Sequence, residues 1–308
     1  MGTDTKVRVA NRSDIEGIVE LQKHIYYEYN RDAPFFAWQC FENVNPSILI
    51  VAQQGTSIVG TFGIQKIKTT DNLYGGQISW IIIAKDKRRR GLFAKMGDLA
   101  LEGMPGLDFI FIFANKEAIF PCEKVLGMKF IGKLSQLISK NTFSGIHPES
   151  CLEPVTVKTK FNEFPCYKNE TTFLRTERYR QWRYAHSTAH KYFKVSIPSG
   201  EYAIIKLFNE KRSSPTIGDI VDFECDLLDI PRLQHLFHAA SFELRNMGAT
   251  SITTWAVPGS KLRCVLEEMG FAQSDYYSSL GVRVFHQKDS HLYDFNTWHL
   301  VQSDASNY

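Results

Sequence analysis

Three arginines and a glycine stand where a buried strand gives way to a helix. The strand is predicted over 77–84, and the start of a helix predicted over 87–102 contains Arg88, Arg89, Arg90 and Gly91. The first turn of a helix leaves about four backbone N–H groups without partners, and the helix dipole favours negative charge there. Gly91 permits close approach of the backbone, and the guanidinium groups add positive charge. The segment therefore predicts an anion site of the kind that holds phosphate.

The spacing excludes two common phosphate loops and resembles a third. A Walker A loop needs GxxxxGK followed by Ser or Thr, and a dinucleotide fingerprint needs GxGxxG. The segment instead resembles the pyrophosphate loop of the GNAT superfamily of acyl-CoA-dependent N-acyltransferases: Gln or Arg, two residues, Gly, one residue, then Gly or Ala. Arg88 and Gly91 match the first and fourth positions, while Phe93 departs from the small sixth residue. A second landmark is the strand and helix FIFIFANKEAIFPCEKVLGMKF, and the resemblance covers 6–140.

The resemblance implies acyl-CoA as a co-substrate and no metal. In this superfamily the sheet opens between its fourth and fifth strands, and the pantetheine arm pairs with fourth-strand backbone, which here belongs to Ile81 and Ile83. Asn115, just beyond the fifth strand, would contact the pantetheine or lie beside the thioester, unless it is a plain turn residue. The pyrophosphate would be cradled by the amides of Arg88, Arg89, Arg90, Gly91, Leu92 and Phe93.

The resemblance also implies direct attack of an amine on the thioester. Many relatives carry a tyrosine acid four residues before the glycine of the last helix, but Glu123 stands there, after Cys122. A covalent Cys122 mechanism lacks a neighbouring base, so we expect solvent to protonate the departing thiolate. An amine near its pKa needs only weak base assistance, and the candidate bases are His24, Glu28 and Asp304. His24 has the plainer alternative of an ordinary surface or partly buried histidine.

The apolar patterning predicts an α/β fold with α+β character. Each half should form a mixed, mostly antiparallel sheet flanked by helices. In the first half, strands are predicted over 6–10, 47–52, 57–68, 77–84, 107–114 and from 128 onward, and helices over 13–25, 87–102 and 118–126.

The two halves resemble each other, which indicates a duplication. Trp38 and Trp182 lie 144 positions apart in similar aromatic segments, and Gly127 and Gly270 lie 143 apart at the ends of similar helices. We therefore expect two tandem GNAT-like domains: an acyl-CoA-binding domain over 1–143, an interdomain segment over 144–175, and a second domain over 176–308. The second domain has no glycine at the spacing of Gly91, so we expect it to be degenerate and to contribute to the acceptor site.

Further segments resemble bacterial tandem-GNAT proteins of polysaccharide gene clusters. These are Trp182-Arg183-Tyr184 and the closing run from Trp298 to Asp304. This narrower resemblance implies transfer of a 3-hydroxybutanoyl or acetyl group to a dTDP-linked 3-amino-3,6-dideoxy sugar, in the synthesis of O-antigen or capsule. Asp304 could then bond sugar hydroxyls. Stacking and diphosphate-binding candidates are Tyr26, Tyr29, Trp38, Arg180, Arg183 and Trp298, although Trp38 has the alternative of a core anchor.

Composition bounds the remaining function classes. The chain has 308 residues, 44% apolar residues and a formal net charge of +3, which exclude a disordered chain and do not suggest a nucleic-acid partner. Six scattered cysteines, no long apolar run and no signal-like N-terminus predict a cytoplasmic protein without a membrane partner, as a monomer or homodimer. Alternatives are an antibiotic or polyamine acetyltransferase, a FemABX-like transferase that uses aminoacyl-tRNA, and a non-catalytic CoA-binding protein.

Overall fold

The computed structural model describes residues 5–25, 31–140, 148–162, 170–209 and 216–306, and it divides into two compact units. The first unit comprises 1–131, 187–189 and 279–293, and the second comprises 132–186, 190–278 and 294–308. Within the described ranges, no helix is long and apolar enough to cross a membrane.

The first unit is a sheet with helices on both faces. Its helices are α1 (Ile15–Ile25), α2 (Ala33–Phe36), α3 (Leu92–Glu102) and α4 (Lys116–Leu126). Its strands, in sheet order, are β1 (Thr5–Val9), β2 (Ser47–Gln54), β3 (Ser57–Lys68), β4 (Tyr74–Ile83), β5 (Phe109–Ala114) and residues 279–284. All neighbours are antiparallel except β4 and β5.

Different helices pack on the two faces of this sheet. A Cβ at Gly60 of β3 would lie 3.2 Å from Met96 of α3, whereas a Cβ at Gly63 would lie 3.2 Å from the Trp80 ring. Because side chains alternate along a strand, these positions belong to opposite faces. The α3 face carries a mainly aliphatic core, and the other face carries the aromatic rings around α2.

The second unit repeats this plan. It contains β7 (Cys151–Pro154), β8 (Tyr192–Ser196), β9 (Tyr202–Phe208), β10 (Ile217–Glu224) and β11 (Ser251–Trp255). It also contains β6 (Lys129–Ser139) from residue 132 onward and β12 (Ala272–Val284) up to residue 278. Its helices are α5 (Glu177–Arg180), α6 (Ile230–Asn246) and α7 (Lys261–Glu268). Within the unit, β6, β11, β10, β9, β8 and β7 lie side by side, with β10 and β11 parallel.

The predicted duplication is confirmed as a structural repeat. In the first unit α2 runs into a π-helical turn, Ala37–Phe41, and 144 positions later α5 runs into the same kind of turn, Gln181–Ala185. Trp38 and Trp182 occupy matching places in these turns and are 3% and 4% exposed.

The units do not follow the linear division predicted over 1–143, 144–175 and 176–308. Residues 132–139 pair with β11 of the second unit, and residues 279–284 return to pair with β5 of the first. The segment expected to be interdomain also contains β7, which pairs with β8 and is therefore an edge strand of the second unit.

Helix α1 begins at a side-chain network that also carries an ion pair. The buried Asp14 carboxylate accepts the Asn11 amide at 2.8 Å and two N–H groups of Arg8 at 2.6 and 2.7 Å. These hydrogen bonds, chiefly those from Arg8, hold the pKa of Asp14 below its ordinary value of 3.8. The network stabilises the folded state only while Asp14 is ionised.

We predict that Asp14→Asn lowers the free energy of unfolding by about 1–2 kcal/mol at pH 7, because the helix start loses a charged acceptor. The difference from wild type should be complete above pH 3.8 and should shrink as the pH falls through the lower folded-state pKa. Urea unfolding at several pH values measures this. Asp98→Asn, at an exposed acid of α3, is the control and should change little. A pH-independent difference would contradict the assignment.

Candidate functional site

The parallel ladder between β4 and β5 ends early. Its three pairs are Gly75↔Phe109, Gly76↔Ile110 and Gln77↔Phe111. β4 continues to Ile83 and β5 to Ala114, yet no further pair joins them within 74–114, all of which is described. Beyond Gln77 the sheet therefore opens into a gap, where the sequence resemblance implied one.

A bulge in β4 lies beside this gap. Trp80 and Ile81 together oppose the single residue Phe62 of β3, because Thr61 pairs with Ile82 and Gly63 pairs with Ser79. Trp80 has a φ of +56°, which is rare for a bulky side chain. The strand is thus bent by a strained residue that its surroundings must hold in place.

Aromatic packing holds the bulge. The Trp80 ring meets the rings of Phe35 and Phe36 edge to face at 5.5 and 5.4 Å, and its carbonyl accepts the Thr61 hydroxyl at 2.6 Å. The Arg31 guanidinium lies over both Phe35 and Trp80, 4.5 and 4.9 Å from their ring centres. Sequence analysis missed this cluster. The signal that could have found it is an arginine at residue 31 with a counterpart 144 positions later, at residue 175.

The end of β4 directs backbone groups toward the gap. The Ala84 amide donates to the Val59 carbonyl of β3 at 3.0 Å. Hydrogen-bonding groups alternate along a strand, so those of Ile83 face away from β3. The Ile83 carbonyl already accepts the Arg88 Nε at 3.1 Å. Backbone groups that face away from β3 are directed into the gap, which is the orientation that pairing with a pantetheine arm requires.

The predicted phosphate loop is an exposed, irregular turn before α3. Arg89 and Gly91 have φ values of +63° and +74°, and no side chain caps the first turn of α3. Alternating left-handed residues turn successive N–H groups toward one side, which forms an anion-binding concavity. Gly91 is needed for its φ, since a Cβ there would meet open space. The helix begins at Leu92 rather than at the predicted 87.

The matching helix start of the second unit is capped by a side chain. The Asp229 carboxylate caps α6 by accepting the Arg232 amide at 3.2 Å, and the Arg232 side chain pairs with Asp229 and with Glu201, each at 3.0 Å. A carboxylate at this position satisfies the helix start and repels a further anion.

The second unit nevertheless keeps the open sheet. β10 and β11 pair at Ile217↔Ser251, Gly218↔Ile252 and Asp219↔Thr253, and their ladder stops there. β10 also has a bulge, which lies between Ile220 and Asp222. A short parallel ladder with a bulge beside it therefore occurs in both units.

The chain's own C-terminal segment occupies this second gap. Each residue of this tail segment, 299–305, is at most 5% exposed. The Gln302 amide donates to the Thr253 hydroxyl of β11 at 3.1 Å, and residues 302–304 contact β10. The Asp304 carboxylate accepts Arg175 Nη2 at 2.8 Å and Nε at 3.0 Å. Burial raises the pKa of Asp304, and the Arg175 guanidinium opposes that shift.

The surroundings of several predicted acceptor residues contradict their predicted roles. Arg180 and Arg183 are 1% and 2% exposed: Arg180 pairs with Glu224 and Asp222, and Arg183 donates to the Ala305 carbonyl at 2.7 Å. A diphosphate would have to displace these partners. The same burial removes Asp304 as a base or sugar ligand, and Trp38 and Trp298 as exposed stacking platforms.

The remaining predicted residues lie at the surface or outside the described ranges. The His24 side chain is 73% exposed on α1 and lies 3.2 Å from Glu20. Asn115 caps α4, its side chain accepting the Ala118 amide at 3.0 Å, so it has the structural role of a cap. Tyr26, Tyr29 and Glu28 lie outside the described residues.

The environment of Cys122 does not suit a nucleophile. Its side chain is 0% exposed in α4, and burial raises the pKa of its thiol to about 12. Thiolate is the reactive form, so this cysteine is inert near neutral pH. Glu123 beside it is exposed. In the described part of the chain, no three His, Cys, Asp or Glu side chains are grouped to hold a metal ion.

Comparisons with known proteins bear on the fold. No family model matches the chain, and no curated protein matches it. Among solved structures, it is similar to a GCN5-related N-acetyltransferase from Anabaena variabilis (TM-score 0.65, 13% identity, 92% of this chain and 73% of that chain). It is also similar to N-myristoyltransferase of Saccharomyces cerevisiae with bound myristoyl-CoA (0.60, 10%, 92% and 79%). A glucosamine N-acetyltransferase region of a fungal multi-domain β-N-acetylglucosaminidase is a third (0.57, 13%, 92% and 38%).

These likenesses establish the fold. The chain has a tandem GNAT-like fold, with a mostly antiparallel sheet flanked by helices in each unit. Identities of 10–13% do not carry an activity from those proteins to this one.

We predict that Asp304→Ala lowers the free energy of unfolding by about 3 kcal/mol, because it leaves the buried Arg175 without its main carboxylate. Glu42→Ala is the control. It breaks an exposed ion pair with Arg12, 3.0 Å long, and should cost less than about 1 kcal/mol. Urea unfolding of the full chain measures both. Equal effects would contradict a tail segment seated in the second gap.

Proposed function

We propose that the chain is an acyl-CoA-dependent N-acyltransferase whose first unit binds acyl-CoA. The observation that carries this is a combination in one unit: a gap between β4 and β5, a bulge beside it, and an uncapped helix start just after β4. The second unit has the gap but fills it with the tail segment and closes the helix start with Asp229. The proposal is therefore one acyl-CoA per chain.

The parts of acyl-CoA would be held by backbone more than by side chains. The amides of residues 88–93 would receive the pyrophosphate, with the arginines adding charge. Backbone groups of Ile81 and Ile83 would pair with the pantetheine arm. Asn115 at the end of β5 would lie near its reactive end while it caps α4.

The chemistry would be a direct transfer. The amine nitrogen bonds to the acyl carbon, the C–S bond breaks, and CoA leaves as a thiolate. Backbone N–H groups at the β4 bulge would stabilise the developing oxyanion. The amine's surplus proton passes to solvent, directly or through the exposed His24, and water protonates the thiolate. Positioning of the two substrates would supply much of the rate.

For the acceptor we propose an amino sugar, with a dTDP-linked 3-amino-3,6-dideoxy sugar as the first candidate and 3-hydroxybutanoyl or acetyl as the acyl group. Two observations support an amino sugar: the sequence resemblance of the second half, and the glucosamine N-acetyltransferase region among the similar structures. The side chains first predicted to hold it, Arg180 and Arg183, are excluded by their burial, so the acceptor must use other groups.

The test is release of free CoA thiol from acetyl-CoA or 3-hydroxybutanoyl-CoA, with the dTDP-amino sugar, glucosamine and spermidine as acceptors. Gly91→Glu should weaken CoA binding at least about tenfold and abolish turnover, because it strains a left-handed residue and puts a carboxylate at the helix start. Calorimetry with CoA measures binding, and wild type should bind one CoA per chain.

Gly55→Glu is the matched control. Gly55 also has a positive φ, +59°, and open space at its Cβ, but it lies in the β2–β3 hairpin. It should leave CoA binding unchanged. CoA binding without turnover on any amine would favour a non-catalytic CoA-binding protein. Turnover with spermidine alone would favour a polyamine acetyltransferase. Absence of CoA binding by wild type would overturn the proposal.

A further inference from the structure

Two arginines occupy the same place in the two units. Arg31 and Arg175 lie 144 positions apart, the same offset that separates α2 from α5. Each directly precedes the residue that caps its helix: Asp32 accepts the Phe35 amide at 3.0 Å, and Thr176 accepts the Tyr179 amide at 3.2 Å. The two guanidinium groups therefore start from matching backbone positions.

Each arginine also reaches the bulge of its sheet. Trp80 lies five positions after the first parallel pair of β4, and Asp222 lies five positions after the first parallel pair of β10. The Arg31 guanidinium lies 4.9 Å from the Trp80 ring centre, and Arg175 lies 3.7 Å from the Asp222 carboxylate. The repeat thus brings an arginine to the edge of the gap in both units.

In the second unit, the structure shows what this arginine binds. Arg175 holds the carboxylate of Asp304 through two nitrogens, and Asp304 belongs to the tail segment that fills the gap. A planar guanidinium fork is suited to a carboxylate or a phosphate. In this unit the arginine therefore recognises an anionic group on the occupant of its gap.

In the first unit, the arginine at this position has aromatic neighbours in place of the tail segment. The Arg31 guanidinium lies over the rings of Phe35 and Trp80, and the N–H donors of a guanidinium lie in its plane. Arg31 lies on the α2 face of the sheet, whereas α3, which we propose receives the pyrophosphate, packs on the opposite face. An anion met by Arg31 would therefore belong to the other substrate.

We propose that Arg31 binds a carboxylate or phosphate group of the acceptor, and so selects amines that carry negative charge. This inference rests on the proposed acyltransferase function of the first unit. It assigns to Arg31 the recognition of an acidic acceptor that sequence analysis assigned to Arg180 and Arg183. The internal repeat supplies the evidence, since Arg175 makes that contact with Asp304 in the second unit.

The test compares acidic amines with neutral partners. The pairs are glucosamine 6-phosphate with glucosamine, and glycine with glycinamide. Wild type should favour the acidic member of a pair by about 10-fold or more in kcat/KM, in line with a charge-assisted bidentate contact. Arg31→Met should remove this preference through KM, Arg31→Lys should keep part of it, and the KM for acetyl-CoA should not change.

Arg12→Met is the control, because Arg12 is an exposed arginine of the same unit paired with Glu42. It should leave the preference intact. A parallel comparison of succinyl-CoA with butyryl-CoA tests the other source of a carboxylate. If Arg31→Met changes the ratio of kcat/KM for succinyl-CoA to that for butyryl-CoA, and leaves the ratio for acidic to neutral amines unchanged, then Arg31 binds the acyl group and the proposal is wrong.

Equilibrium binding separates this proposal from the acyltransferase itself. Calorimetry measures the four amines with protein saturated with a non-hydrolysable thioether of acetyl-CoA. Tighter binding of the acidic amines, lost in Arg31→Met, supports the anion site even if no amine turns over. Equal binding of acidic and neutral amines to wild type would overturn it. If Arg31→Met weakens the binding of the acidic and the neutral amine of a pair equally, Arg31 has a packing role and the proposal is wrong.

Discussion

The early end of the ladder between two parallel strands is the constraint on which the site depends. Backbone N–H and C=O groups inside a sheet must find partners, and β4 beyond Gln77 has none from β5. The bulge at Trp80 and Ile81 bends β4 beside the opening, and aromatic packing from α2 holds that strained geometry. A ligand with its own amide groups would complete the ladder, and this is the physical basis for placing a pantetheine arm there.

The duplication shows two solutions to the same constraint. In the first unit the bulge is held by Phe36 against Trp80, and the gap has no described segment of the chain paired into it. In the second unit the matching positions are Arg180 and Asp222, and the tail segment contacts β10, hydrogen-bonds to Thr253 of β11 and binds Arg175. Aromatic packing in one copy is thus replaced by buried charge in the other, and a buried charge network requires the tail segment to satisfy it.

Local signals predicted the parts of the site that depend on local backbone. The strand before Arg88 and the turn at Gly91 were readable, because turn chemistry and apolar periodicity act over a few residues. The cap formed by Asn115 was not predicted, since the sequence analysis expected a contact with the pantetheine or a plain turn there. The surroundings of the predicted acceptor residues were not readable from the sequence. Arg180 and Asp304 are charged residue types of the kind expected at a surface. Only the tertiary fold brings Arg180 to Glu224 of β10 and Asp304 to Arg175.

The predicted domain boundaries missed the exchange of strands for a similar reason. β6 and β12 are strands whichever sheet they join, so their sequence patterns do not state that 132–139 pair with β11 or that 279–284 pair with β5. The duplication itself was readable, since matching residues recur at nearly constant spacing. Arg31 and Arg175 are separated by the same spacing. Their equivalence indicates an anion-binding role only because Arg175 binds the Asp304 carboxylate, a contact that the sequence does not reveal.

Hydrogen–deuterium exchange of the full chain, with and without CoA, tests the central claim most directly. The account predicts that CoA slows exchange of backbone amides over 81–94, at the end of β4 and the start of α3. Amides over 220–232 and in the tail segment should exchange at unchanged rates, because the second gap is already filled. Protection of 220–232 on CoA binding, or binding that leaves 81–94 unprotected, would contradict the account.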